Sequence, residues 1–355
     1  ELTSNASNTV WTGTFTATDD STTNAKVKFA DAANYTDVTG NDGATDVEAV
    51  AVVDTVSPDL AASGIEITAA NLNDATNTSV VTITFTEAVT EFNNSDITVT
   101  GGTLSTVGSN DGGVTWSGIF TASDDSTANG TITIGTDYQD LVGNVGADGG
   151  TDSVVVDTIN PTATVTFAED GLDDDTNESL VTIVFSEAVA NFSNADVSVV
   201  GGTLGTLTSA DQITWTATFT ASDDSTEEAS VTVIGEYEDN VGNIGATGAD
   251  DTATVDTTNP TATIVFDQTS LKKETGSDGA DESVVTITFS EGVTAFSNDD
   301  LVVEGGTLTE LTSNASNTVW TGTFTATDDS TTNAKVKFAD AANYTDVTGN
   351  DGATD

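Results

Sequence analysis

A chain of 355 residues with 58 acidic side chains, six lysines and a net charge of −52 repels nucleic-acid phosphates and anionic membrane surfaces, so cations are its natural partners. Cysteine, histidine and methionine are absent, which removes disulfides, thiolate or imidazole metal sites and the usual nucleophile–base pairs of hydrolases. No apolar run is long enough to insert in a bilayer and no signal peptide opens at Glu1, so the chain is expected to derive from a longer precursor or to carry its address elsewhere.

Residues 1–57 contain Trp11, a DDST turn and YTDVTGN, and then run into DTVSP at 54–58. The same order of markers recurs along the whole chain. Its three prolines, Pro58, Pro161 and Pro260, close DTVSP, DTINP and DTTNP at spacings of 103 and 99 residues. FTEAV (85–89), FSEAV (185–189) and FSEGV (289–293) follow in step, as do GGTL starting at 101, 201 and 305 and then Trp116, Trp215 and Trp320. Each tryptophan is trailed by DDST and by YQDLVGN, YEDNVGN or YTDVTGN. The chain therefore divides into the second half of a repeat (1–57), two complete repeats (58–157 and 158–256) and a third cut short at its C-terminal end (257–355). Glu1 to Asp46 matches Glu310 to Asp355 at every position, an offset of 309 residues. Residues 1–46 are expected not to complete a domain without strands like those at 260–309 before them.

Within a repeat, apolar residues alternate with Thr and Ser. Val81, Ile83 and Phe85 share one face of VTITF, and Ile213, Trp215, Ala217 and Phe219 share one face of ITWTATF. The small residue between Trp and Phe (Gly13, Gly118, Ala217, Gly322) is expected to leave room for both rings. In the second complete repeat the pattern predicts seven strands, at about 162–167, 180–186, 196–200, 203–208, 213–220, 229–234 and 251–256. Seven short strands with one apolar face each predict an all-β fold: tandem immunoglobulin-like β-sandwich domains in an elongated array.

Glu87, Glu187 and Glu291 fall on the inward parity of their strands, where a core residue belongs. Antiparallel alternation places each at the pole where the linker enters and where the Y-x-D-x-x-G-N turn returns. Three sets should converge there: Asp54, Glu87, Asp140 and Asn144; Asp157, Glu187, Asp239 and Asn243; and Asp256, Glu291, Asp346 and Asn350. Residues 58–256 contain no Lys, Arg or His, so no internal ion pair can neutralise a set there. A hard divalent cation can, and Ca²⁺ suits oxygen-only donors better than Mg²⁺ or Zn²⁺. Solvated turn acids that only shape their loops are the alternative. A weaker cluster is expected at the opposite pole, joining Asp173, Asp174 and Asp175 to Asp223 and Asp224. Its loop does not follow the EF-hand pattern.

The markers D-T-x-x-P, F-[ST]-E-A-V, G-G-T-L and Y-x-D-x-x-G-N, in this order at a spacing near 100 residues, resemble the bacterial Ig-like repeats of giant extracellular adhesins of the RTX and biofilm-associated type. The resemblance covers essentially the whole chain, and Gly292 in place of Ala is a minor departure. It implies a non-catalytic, Ca²⁺-rigidified stalk, extracellular on a bacterial surface or secreted, whose partners are calcium ions and neighbouring repeats. A repeating subunit of an extracellular filament or surface layer, made of like chains, is the competing expectation. Carbohydrate or ice binding by Thr-rich strands is a third, although alternating Thr is more simply the solvent face of a strand. Lysine-dependent isopeptide bonds are excluded in the two complete repeats, which lack Lys.

Overall fold

The computed structural model describes residues 1–29, 35–44, 47–235, 237–273, 281–339 and 344–352. The chain divides into two compact units, Glu1–Ile159 with Val241–Asn243, and Asn160–Asn240 with Ile244–Asp355. Among the described residues there is no α-helix. Three 3₁₀ turns, such as Asn94–Asp96, are each closed by a capping box.

The first complete repeat contains β1 (Leu60–Ile67), β2 (Asn71–Leu72), β3 (Thr78–Phe85), β4 (Val89–Thr90), β5 (Ile97–Thr100) and β6 (Gly102–Leu104). It continues with β7 (Gly108–Ser109), β8 (Thr115–Ala122), β9 (Gly130–Ile134), β10 (Gln139–Asp140) and β11 (Gly150–Val156). One sheet has the order β6-β8-β3-β1, with β7 on β8, and the other β2-β11-β9-β5. β2 pairs parallel with β11, and the other pairings are antiparallel. This is the two-sheet arrangement of an immunoglobulin-like sandwich.

Alternation explains the shared core. Val81, Ile83 and Phe85 from β3 and Phe120 from β8 meet Ile132 and Ile134 from β9 and Val154 and Val156 from β11. Burying each such side chain stabilises the fold by roughly 1.5–3 kcal/mol. The GGTL motif serves this core. Gly101 has φ +70°, and a Cβ on Gly102 would stand 2.6 Å from the Phe120 ring. Small residues such as Gly118 make room differently from expectation: a Cβ there meets Val107 and Leu104, whereas Trp116 stacks edge-on against Phe92.

In the second complete repeat, all seven predicted strands are present, as Ala163–Phe167, Glu178–Phe185, Val197–Val200, Gly202–Leu204, Thr214–Ala221, Ala229–Val233 and Asp250–Val255. The fourth stops at Leu204 rather than 208 because the Asn194 side chain captures the chain there. It donates to Gly205 O (2.8 Å) and accepts from Leu207 N (3.0 Å), which turns Leu207 into the core. The two-residue strands equivalent to β2, β4 and β10 (Gly171–Leu172, Val189–Ala190 and Glu238–Asp239) are too short to carry a periodic signal.

The duplicated 46 residues occupy two environments. In the third repeat, Val319–Ala326 is an eight-residue strand paired with Glu282–Phe289, and Phe324 is 0% exposed. In the first copy, only Trp11–Thr12 of the corresponding residues 10–17 is strand, paired with Thr3–Ser4, and Phe15 is 58% exposed. The hairpin register is the same in both, Thr3↔Thr12 and Thr312↔Thr321. What differs is the distant partner strand. Phe324→Ala should therefore lower stability by about 3–5 kcal/mol in denaturant unfolding.

Candidate metal centre

Each carboxylate of the first set is delivered by a separate piece of backbone. Asp54 lies on the linker, Glu87 two residues beyond the end of β3, and Asp140 on β10. The pairing of β4 with β10, Val89 opposite Asp140, brings the last two together. The third repeat repeats the arrangement with Val293 opposite Asp346. Two triads result, Asp54, Glu87 and Asp140 in the first unit and Asp256, Glu291 and Asp346 in the second. In each, one carboxylate oxygen from every residue lies within 4.8 Å of the other two. Two oxygens on opposite sides of one Ca²⁺ stand about 4.6–5.2 Å apart, so the spacing suits a shared ion. Of the middle set, Asp157 belongs to the first unit, while Glu187 and Asp239 belong to the second. Asp239 is buried opposite Val189, and Asp157 N donates to Leu72 O.

The turn Asp140–Asn144 is wrapped around its own acid. Asp140 Oδ1 accepts from the backbone N–H groups of Val142 (2.8 Å), Gly143 (2.7 Å) and Asn144 (2.9 Å), and Oδ2 accepts from Asn144 Nδ2 (2.7 Å). Asp346 is held the same way by Thr348, Gly349 and Asn350. Burial opposes ionisation of both acids, but these hydrogen bonds together outweigh it and hold both carboxyls below the usual range. Glu87 and Glu291 lack such a cradle. Burial first, and then the neighbouring aspartates, push both upward, the neighbours being Asp54 and Asp140 for Glu87 and Asp346 and Asp256 for Glu291.

Asn144 and Asn350, expected as ligands, make a bridge that spacing alone did not suggest. Asn350 Nδ2 donates to Asp346 Oδ2 and to the linker carbonyl of Asp256 (both 2.8 Å), and Oδ1 accepts from Asp174 N of the preceding repeat (2.7 Å). Asn144 Nδ2 likewise reaches Asp54 O (3.2 Å). In the first unit, Asn243 takes the corresponding place, donating to Asp157 O (3.0 Å) and accepting from Asp74 N (2.7 Å). One buried amide thus ties a turn, its linker and the loop of the repeat before it.

The opposite-pole acids are arranged differently. Asp173 Oδ1 accepts from Thr176 N and Thr176 Oγ1, and Asp224 stands in a turn with φ +48°. Among the described residues no three-carboxylate group forms from Asp173, Asp175, Asp223 and Asp224. The loop carrying Asp173 and Asp174 instead reaches the next repeat, since a Cβ on Gly349 would lie 3.6 Å from Asp173 Oδ2. The corresponding loop of the third repeat includes residues 274–280, outside the described residues.

A glutamate with a raised folded-state pKa costs no stability below its unfolded pKa, where both states are protonated. The cost grows as pH rises through the folded value. Asp140 and Asp346 act oppositely: their stabilisation is present above the unfolded pKa and is lost as pH falls through the folded one. In chelator at neutral pH, Glu291→Gln should therefore raise the thermal midpoint of the third repeat. The difference should vanish in acid, and equal midpoints at neutral pH would contradict the assignment.

The family model described as "Bacterial Ig-like domain" matches residues 54–156, 157–255 and 256–355. No match was found among curated proteins. Among solved structures, Yersinia pseudotuberculosis InvD is 16% identical, with 78% of this chain and 84% of that chain covered and a TM-score of 0.31. Invasin, described as a bacterial integrin-binding protein, is 14% identical over 76% of this chain and 55% of its own, with a TM-score of 0.32. The Yersinia pseudotuberculosis adhesin InvE is 14% identical over 54% of this chain and 58% of its own, with a TM-score of 0.24. The chain thus spans little more than half the length of invasin and InvE. Through three consecutive matches that together run from residue 54 to residue 355, the chain belongs to the bacterial Ig-like domain family.

Proposed function

We propose that this chain is part of a non-catalytic, extracellular stalk of a large bacterial surface adhesin, in which Ca²⁺ bound at each linker stiffens the junction between repeats. The observation that carries the reading is the recurrence of one arrangement: a linker aspartate joined to two carboxylates of the following repeat. Beside it, an asparagine such as Asn350 hydrogen-bonds the linker and the preceding repeat at once.

The donor set suits the ion. It offers oxygen alone, without His or Cys, and residues 58–256 supply no cationic side chain to compete. Ca²⁺ would be held by Asp54, Glu87 and Asp140 in the first repeat and by Asp256, Glu291 and Asp346 in the third. It would neutralise acids that otherwise repel one another. No helix among the described residues is long and apolar enough to cross a membrane. In this reading, anchoring and ligand binding belong to other parts of a longer protein.

An ion that binds only the folded junction stabilises it by RT ln(1 + [L]/Kd), about 2.7 kcal/mol per site at a hundredfold excess over Kd. Millimolar Ca²⁺, a concentration at which extracellular modules bind the ion, should raise the thermal midpoint. It should also lengthen the maximum dimension measured by small-angle scattering relative to chelator. Identical scattering curves in Ca²⁺ and in chelator would remove the stiffening role.

A further inference from the structure

One acid in each complete repeat lies where a core residue belongs, yet outside the triads. Asp152 on β11 and Asp251 on Asp250–Val255 share the inward parity of the buried pairs Val154 with Val156 and Ala253 with Val255. Each is half-buried and reaches across to the other sheet. Asp152 Oδ2 accepts from Ile67 N on β1 (2.8 Å), and Asp251 Oδ2 accepts from Phe167 N on Ala163–Phe167 (2.8 Å). Residues 58–256 hold no cationic side chain, so a carboxylate that accepts a backbone N–H is the strongest type of polar link open to these repeats, roughly twice as strong as a neutral hydrogen bond.

The link joins the first strand of the repeat to its last, and its neighbours do the same. β2 continues from β1 and pairs parallel with β11, Asn71 opposite Val155 and Leu72 opposite Val156, and Asp157 N donates to Leu72 O (2.9 Å). In the second repeat, Gly171 and Leu172 pair with Thr254 and Val255, while Thr254 N and Asp256 N donate to Asp170 O and Leu172 O (both 2.9 Å). The other hydrogen-bonded partners of β1 and β11, namely β3 and β9, belong to different sheets. In a chain of tandem repeats, tension enters a repeat at the linker before its first strand and leaves at the linker after its last. It drags β1 and β2 one way and β11 the other. Because β2 and β11 are parallel, they must slide along each other. The carboxylate bond and the backbone bonds are then stretched together, not opened one at a time as at the end of a hairpin.

We propose that Asp152 and Asp251 are the tension-bearing links of their repeats: one carboxylate ties the strand that receives the load to the strand that passes it on. A polar group on the inward parity costs burial, and the bond to Ile67 or Phe167 offsets that cost while locking the two sheets against sliding. The inference rests on the stalk reading only for the source of the load. The clamp uses no triad carboxylate and needs no Ca²⁺.

Stretching single molecules of the 355-residue chain by their ends, in chelator, tests it. Unfolding of a complete repeat is recognised by a contour-length gain of roughly 100 residues at up to about 3.6 Å each. Asp152→Ala combined with Asp251→Ala should lower the unfolding force of these events. At constant force it should speed unfolding about tenfold or more, because forced unfolding follows the unfolding barrier. Asp152→Asn with Asp251→Asn keeps an acceptor oxygen without the charge, and its force should fall between those of the parent and the alanine pair. As a control, Leu104→Ala with Leu204→Ala trims side chains that pack on the cores from β6 and Gly202–Leu204, at the far edge of the first sheet. The control should lower the denaturant midpoint and leave the unfolding force near the parent's. A parent-like force in either aspartate variant would overturn the proposal, as would a control that loses as much force as the alanine pair for the same loss of denaturant midpoint. Because chelator is present throughout, the outcome is independent of whether the triads hold Ca²⁺, which scattering decides separately.

Discussion

Each repeat depends on one long-range ladder, the antiparallel pairing of two eight-residue strands, Thr78–Phe85 with Thr115–Ala122 and their equivalents. It fixes which residues face inward, because a shift of one position would turn every side chain to the other face. The duplicated segment acts as an internal control. With its partner strand Glu282–Phe289, the sequence from Val319 folds as a full strand with a buried Phe324. In the first copy, where residues 10–17 face no such strand in this structure, the same letters show the local hairpin and an exposed Phe15. Propensity and turn chemistry are identical in the two copies, so the difference comes from tertiary pairing alone.

The same parity that buries Phe85 delivers Glu87 to the pole of the sandwich. A glutamate there, beside a linker aspartate and a cradled aspartate, leaves an electrostatic conflict that hydrogen bonds settle for one acid only. Asp140 has three backbone N–H groups and an amide, whereas Glu87 has burial and two like charges. Protonation of the glutamate or capture of a cation relieves this conflict. The Asn bridge to linker and preceding repeat means that relief at the triad bears directly on the junction between repeats.

Much of this was legible in the sequence because period-two alternation and repeated markers are strong signals. The seven strands, the inward parity of Val81, Ile83 and Phe85, and the convergence of Glu87 with Asp140 all follow from them. Two-residue elements were not legible. The pairing of Val89 with Asp140 and the parallel pairing of Asn71–Leu72 with Val155–Val156 are too short to show a period, and they depend on the sheets already being packed. The bridging role of Asn350 was hidden for another reason. Its partner Asp174 lies 176 residues away in another repeat, and no local pattern announces such a contact. The small residue two positions after each Trp is visible in the sequence, but its purpose depends on Val107 and Leu104, which only the folded chain brings against it.

The central claim is that the acidic triads hold Ca²⁺, and equilibrium dialysis against radioactive calcium tests it most directly. The account predicts saturable binding at millimolar concentration, with a stoichiometry that falls by two ions when Glu87→Gln and Glu291→Gln are combined. No saturable binding, or an unchanged stoichiometry in the double variant, would contradict it.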